Sequence, residues 1–249
     1  MKKGSRNRFL LFSVLVALAA ARLVFAQTPS YDVASVKPNK SGSSSSSTST
    51  RNGQLTATNV TLQSMIRNAY LLQDFQIVGG PSWVDSDRFD IMAKVEGQPV
   101  PPERRLMMQA LLADRFKLVV HRDTREMPVY DLVLAKPDGK LGSGLRRSDC
   151  SKDPCGNTNV NNTVLHADGI TFELFTGTLS SIVTHIVKDK TALEGPYTMD
   201  LTWSRDQTTD TTQPSIFTAL QEQLGLKLES ARGPVDVLVI DRAEQPTPD

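Results

Sequence analysis

Two stretches of this chain repeat one pattern of apolar and polar side chains, Pro128-Val129-Tyr130-Asp131-Leu132-Val133-Leu134 and Pro234-Val235-Asp236-Val237-Leu238-Val239-Ile240. Two further pairs echo each other, Thr61-Leu62 with Thr178-Leu179 and Arg88-Phe89-Asp90-Ile91 with Pro196-Tyr197-Thr198-Met199. The separations lie between 106 and 117 residues, far longer than the few tens of residues of a solenoid repeat. The spacing therefore predicts a duplicated fold unit.

Each unit is predicted to begin with a strand followed by an amphipathic helix. In the first half, Thr61 precedes apolar residues with the spacing of one helix face: Leu62, Met65, Ile66, Ala69 and Tyr70. In the second half, Thr178 precedes an equivalent series: Leu179, Ile182, Val183, Ile186 and Val187. We expect both threonines to cap their helices.

A strand, a second helix and two final strands are predicted to complete each unit. The second helices are expected to start at Pro101 and at Pro214-Ser215, with Gly225 ending the latter. Two hairpins are expected, pairing 117–121 with 129–134 and 226–229 with 235–240. The predicted class is α+β: two duplicated strand-helix-strand-helix-strand-strand modules, with helices packed on mostly antiparallel sheets.

The first 26 residues are typical of a secretory signal peptide. A cationic start precedes an apolar run, and Val24-Phe25-Ala26 predicts cleavage before Gln27. Cleavage would remove five of the 28 basic residues and none of the 27 acidic ones, which leaves a net charge of −4. That balance disfavours nucleic acid as a partner. An exported protein, periplasmic or extracellular, without a membrane span after cleavage, is expected.

The remaining chain divides into a first module at 27–136, a polar connector at 137–163 and a second module at 164–249. Within the first module, the Ser- and Thr-rich stretch 37–53 is predicted to be a flexible loop. The connector holds both cysteines, Cys150 and Cys155, and an oxidising compartment favours a disulfide between them. Metal binding is the alternative, with His166 the only histidine nearby.

The sequence contains no recognisable catalytic, metal or cofactor motif. The histidines His121, His166 and His185 lack metal-ligand spacing, and we predict no metal and no cofactor. The most acidic local cluster includes Asp85 and Asp87 beside Trp83, and these three residues are predicted to lie on the surface or in a groove. Turn or strand-edge acids are the simpler interpretation.

Several segments resemble a soil-associated domain family of unknown function that is expanded in Acidobacteria. The similar segments are 31–39, 57–62, 74–83, 111–118, 128–130 and 219–229. The sequence departs from the family pattern at Ala192, where the pattern has Gly, and at Thr198, where it has Asp. The resemblance implies no catalytic residues. Some relatives are fused to a sensor-type membrane metallopeptidase, which implies an extracytoplasmic sensing role.

The second half also resembles the short N-terminal domain of secretins and TonB-dependent receptors, through 193–201 and Leu224-Gly225-Leu226. Such domains bind other proteins in the periplasm. The sequence therefore favours an uncharacterised, non-enzymatic extracytoplasmic protein that binds an envelope protein or extracellular ligand. The alternatives are an envelope or polymer hydrolase with a site between the modules, and an accessory domain of a membrane sensor.

Overall fold

The computed structural model describes residues 29–150, 155–161, 163–204 and 213–247. The predicted signal peptide at 1–26 lies outside the described residues. The strands are β1 (Val33–Pro38), β2 (Ser47–Arg51), β3 (Gln54–Val60), β4 (Ile77–Gly79), β5 (Phe89–Lys94), β6 (Val119–Leu134), β7 (Leu145–Arg147), β8 (Asn157–Val160), β9 (Val164–Ile170), β10 (Val187–Asp189), β11 (Tyr197–Thr202) and β12 (Leu226–Arg242). The α-helices are α1 (Leu62–Tyr70), α2 (Pro101–Arg115), α3 (Phe172–Val183) and α4 (Ile216–Ala219), and α4 continues into a π-helical turn, Leu220–Leu224.

Within the described part of the chain, the strands form three four-stranded sheets. The first outer sheet has the order β1-β5-β3-β2, and the second outer sheet has the order β7-β11-β9-β8. The central sheet, β10-β6-β12-β4, combines two strands from each half of the sequence. Its edge strands pair in parallel, whereas every other pairing is antiparallel. The predicted α+β class is confirmed.

Three of the four predicted helix starts agree with the structure. The Thr61 hydroxyl accepts a hydrogen bond from the Ser64 amide, and Pro101 opens α2. Ser215 caps α4, and Gly225 ends the π-helical turn at φ 72°. The predicted cap at Thr178 is wrong. Helix α3 starts seven residues earlier, with the Thr171 hydroxyl accepting from the Leu174 amide.

The earlier start of α3 changes which residues form its buried face. Its buried residues are Phe172, Phe175, Thr176, Leu179 and Ser180. The helix ends at Val183, so Ile186 lies beyond it and Val187 begins β10. The apolar residues from Leu179 to Val187 keep a helical spacing although they belong to a helix and to the strand that follows it. Periodicity alone does not mark the boundary between the two elements.

Both predicted hairpins are wrong, because 119–134 and 226–242 are each one continuous strand. Strands β6 and β12 pair antiparallel along their whole length, from Leu134–Leu226 to Val119–Arg242. Gly233 and Pro234, a turn signal in isolation, continue the strand opposite Met127 and Glu126. Residues 122–126, which fall between the two segments expected to pair as a hairpin, lie in the middle of this two-stranded ribbon.

The ribbon connects two apolar cores, each of which contains a residue from the opposite half. The first core holds the apolar faces of α1, α2 and β5 together with Leu238 and Ile240 of β12. The second core holds those of α3, β9 and β11 together with Leu132 of β6. A smaller cluster of Val129, Val235 and Val237 lies between them. Each core therefore depends on a strand that the other half of the sequence provides.

The strand order and register of the two outer sheets correspond. Both contain a register shift near the end of the strand that leads into a helix. In β3 the shift lies between Ala57 and Val60, and in β9 it lies between Ala167 and Ile170, opposite Tyr197 and Met199. Counted from the pairs Val60–Phe89 and Ile170–Tyr197, Met92 takes the place of Asp200. That the halves arose by duplication stays a prediction about the origin of this order.

Two segments predicted to be irregular contribute edge strands. The Ser- and Thr-rich stretch 37–53 contains β2, which pairs with β3, so the prediction of a loop is wrong for Ser47–Arg51. The predicted connector at 137–163 contains β7 and β8, the two edges of the second outer sheet. Their side chains are mostly polar and exposed, so these strands lack the apolar alternation by which a strand is predicted from sequence.

Candidate functional site

The three residues predicted to line a surface groove lie around a short 3₁₀ turn, Ser82–Val84. The Trp83 ring packs on Phe89 and Phe116, with centroid distances of 6.2 and 6.4 Å. Asp85 is exposed, and the Asp87 carboxylate accepts a hydrogen bond from Gln245 at 2.6 Å. Trp83 thus contributes to the first core, and a binding role for the two acids stays a prediction.

Cys150 and Cys155 form a disulfide, with Cα atoms 5.3 Å apart. Both residues are exposed. The bond lies on the main chain of Gly169, where a Cβ would collide with the Cys155 Sγ. Gly169 has φ +69°, a conformation that glycine adopts without the steric cost of a side chain.

Six polar side chains form an array of two neighbouring hydrogen-bonded groups on the outer face of the second outer sheet. We call this array the polar face; its members are Arg146, Ser148, His166, Asp168, Thr198 and Asp200. Strand alternation places it there, because the residues between them, such as Leu165, Ala167 and Met199, point into the second core.

Asp200 is the centre of one half of the polar face. Its Oδ1 lies 2.5 Å from the His166 Nδ1, and its Oδ2 accepts a hydrogen bond from Arg146 at 3.0 Å. Partial burial raises the pKa of Asp200, but the hydrogen bonds from His166 and Arg146 outweigh this effect and hold the pKa below its ordinary value. All three side chains remain about half exposed, so the ion pairs are open to a partner.

Asp168 is the centre of the other half. Its Oδ1 accepts hydrogen bonds from Thr198 at 2.5 Å and from Ser148 at 3.1 Å. Both bonds lower the pKa of the Asp168 carboxyl, and the bond from Thr198 has the larger effect. The Ser148 hydroxyl also lies 3.6 Å from the Cys155 Sγ, which joins the polar face to the disulfide.

The corresponding surface of the first outer sheet has a different chemistry. Where Asp200 stands in the second sheet, the first has Met92, which is 57% exposed. Lys37 and Thr56 take the places of Arg146 and His166. Asp90 is the carboxylate of this surface and accepts hydrogen bonds from the Asn39 side chain and the Asn59 backbone amide. The linked cationic and anionic groups therefore distinguish the second sheet from the first.

The three histidines have separate environments. His121, predicted to lie at a strand end, is within β6 and pairs with Asp241 at 2.8 Å. The ring of His185 packs edge-on against Tyr130, with centroids 5.4 Å apart. The contact of His166 with Asp200 could not be predicted from the sequence, because the two residues are 34 positions apart and only the pairing of β9 with β11 joins them. The alternation of Leu165-His166-Ala167-Asp168 was the available signal.

Two open cavities lie on the surface that the described residues line. One, of about 640 Å³, lies between β1 and α2 and is bordered by Tyr31 and Arg115. The other, of about 550 Å³, lies between the C-terminal end of α1 and Ser181 of α3. This second cavity touches both halves, and its one carboxylate, Asp74, pairs with Arg67 at 3.2 Å.

The described residues contain no group of three His, Cys, Asp or Glu side chains able to hold a metal ion. None of their helices is long and apolar enough to span a membrane.

These features define an α+β protein with a shared central ribbon and an exposed polar sheet surface. The family model described as "Protein of unknown function (DUF3738)" matches residues 63–243, and the chain belongs to this family. The resemblance to a family of unknown function is thereby confirmed. No curated protein and no solved structure matches the chain.

Proposed function

We propose that this chain is a non-enzymatic extracytoplasmic binding protein that contacts a protein partner through its polar face. The observation that carries the proposal is the hydrogen-bonded order of these six polar side chains, of which Thr198 is buried and the other five are exposed or partly exposed. Side chains held in one geometry before binding lose less conformational entropy when a partner arrives. A preorganised polar array is therefore better suited to recognition than a set of independent surface residues.

The charges of the polar face indicate the character of the partner. The Arg146 guanidinium and the His166 ring lie beside the carboxylates of Asp168 and Asp200, so donors and acceptors alternate over a short distance. A folded protein surface offers groups of both signs at such spacing, and complementary charges improve specificity and association rate. A uniformly anionic polymer would face two carboxylates.

The extracytoplasmic location rests on two features of the sequence. The cationic and apolar segments before Gln27 support export, and the Cys150–Cys155 disulfide suits an oxidising compartment. The similarity to the soil-associated family and to periplasmic N-terminal domains of secretins and TonB-dependent receptors supports a binding role in the envelope.

A pull-down from envelope extracts with matched variants tests the proposal. The bait is the full mature chain, either unchanged or carrying Arg146→Ala with His166→Ala. The control carries Lys37→Ala with Thr56→Ala, which truncates the corresponding positions of the first outer sheet. We expect one protein to be captured by the unchanged chain and the control and to be lost, by roughly tenfold or more, with the polar-face variant, as for residues at the centre of an interface.

Two results would overturn the proposal. Equal capture by all three baits would show that binding does not involve the polar face. Turnover of an envelope or soil polymer by the unchanged chain would favour the alternative of a hydrolase.

A further inference from the structure

The disulfide joins two residues that lie next to the opposite edge strands of the second outer sheet. Cys150 follows β7 and Cys155 precedes β8, the two edge strands of that sheet. The main chain is hydrogen-bonded on each side of the disulfide, from the Ser148 amide to the Pro196 carbonyl and from the Gly156 amide to the Asp168 carbonyl. The disulfide therefore links the attachment points of both edges.

Strand β8 has no buried side chain to hold it in place. All four residues of Asn157–Val160 are exposed, including Val160 at 41%. Its attachment to β9 consists of backbone pairing from Asn157–Asp168 to Val160–Leu165. Because apolar burial is the main source of stability for a strand, β8 belongs to the least stable part of the sheet.

The first outer sheet holds the corresponding segment, between β1 and β2, without a covalent bond. There the Asn59 side-chain amide donates to the carbonyls of Ser43 and Ser45, at 2.7 and 2.8 Å. The position that corresponds to Asn59 is Gly169, which has no side chain and instead supports the disulfide. In the second sheet the disulfide thus replaces an amide clamp.

We propose that the Cys150–Cys155 disulfide is a redox latch that holds edge strand β8 on the second outer sheet. Both cysteines are exposed, and exposed disulfides are among those that reductants reach. A dithiol reductant would transfer two electrons and two protons to the disulfide, which gives two thiols while the dithiol becomes a disulfide. Strand β8 then separates and uncovers the backbone edge of β9, a surface on which another extended segment can pair.

The latch is a property of this sheet and stands independently of the proposed binding role. Its test is hydrogen exchange of the folded full mature chain with and without dithiothreitol, with thiol titration to confirm that two thiols appear. We expect exchange across Asn157–Val160 to become roughly tenfold faster or more on reduction, since a disulfide closing even a short loop restrains local opening. Strand β2 is the internal control, and its exchange is expected to stay unchanged.

A variant with Cys150→Ser and Cys155→Ser gives a second measurement that needs no reductant. It is expected to reproduce the fast exchange of β8 while the buried strand β11 keeps its protection. Equal exchange of β8 in the oxidised, reduced and serine forms would overturn the proposal. So would a disulfide that resists dithiothreitol in the folded chain, because a latch has to open.

Discussion

The contribution of β12 to the first core gives the sharpest test of this fold. Leu238 lies in the last part of the chain, yet its side chain is 1% exposed within the core built around α1, α2 and β5. Replacing it by alanine should therefore loosen the first half of the protein. If each half had a self-contained core, the same substitution would loosen the second half.

The magnitude follows from the burial of the side chain and the rigidity of its surroundings. Leucine-to-alanine substitutions in cores cost about 2–5 kcal/mol, and the upper part applies where the site cannot collapse. Leu238 is flanked by ladder partners on both sides, Arg122 of β6 and Ile77 of β4, which restrict collapse. We expect Leu238→Ala to lower the free energy of unfolding by about 3–4 kcal/mol, a large share of a typical total of about 5–15 kcal/mol.

Urea unfolding measures the loss, and hydrogen exchange shows where it falls. Leu226→Ala is the matched control, because Leu226 is fully buried in the second core, and Leu174→Ala, at a 62% exposed position, should stay within about 0.5 kcal/mol. For Leu238→Ala the added exchange should appear in α1 and β5. A loss below about 1 kcal/mol, or added exchange confined to α3 and β11, would refute the shared-core reasoning.

Four further substitutions test local features. Ala192→Gly should stabilise the fold by about 1 kcal/mol and raise the thermal midpoint, because Ala192 has φ +57°, a conformation that glycine adopts more easily than alanine. A lower midpoint would contradict this. Gly169→Ala should lower the midpoint because its Cβ meets Cys155, and an unchanged midpoint would show that the disulfide lies elsewhere. Asp168 has a lowered pKa in the folded chain, so its stabilisation is present above the unfolded pKa and lost as pH falls through the folded one. Asp168→Asn should therefore destabilise at about pH 7 and much less at about pH 3 in urea titrations, whereas equal losses would argue against the ionised hydrogen bonds. Tyr31→Phe should stabilise by about 1 kcal/mol, because the buried hydroxyl has no hydrogen-bond partner among the described residues, and destabilisation on calorimetry would reveal a partner.

Local features of the fold could be predicted where neighbouring residues contain the whole signal. The cap at Thr61, the start of α2 at Pro101 and the stop at Gly225 each depend on residues within one helical turn. The cap at Thr171 was missed because the apolar residues of β10 extended the helical pattern past Val183. An error of this kind arises where two elements with compatible periods follow each other closely.

The polar face could not be predicted in the same way. His166 and Asp168 are visible as alternating polar residues, but Asp200 joins them only through the register of β9 with β11. Arg146 and Ser148 belong to a segment without apolar alternation, so strand β7, which contains Arg146 and ends just before Ser148, was not predicted. Register is set by which faces are buried together, and that information is spread over the whole sheet.

The amino-acid sequence by itself determined the α+β class, three helix starts and the cysteine pair, because each depends on short-range chemistry that the order of residues displays. Tertiary structure alone decided that β6 and β12 run unbroken, pair with each other and enter opposite cores. The physical reason is that Gly233-Pro234 is compatible with a turn or with an extended strand. Sixteen residues of partner backbone, supplied by the other half of the sequence, favour the strand.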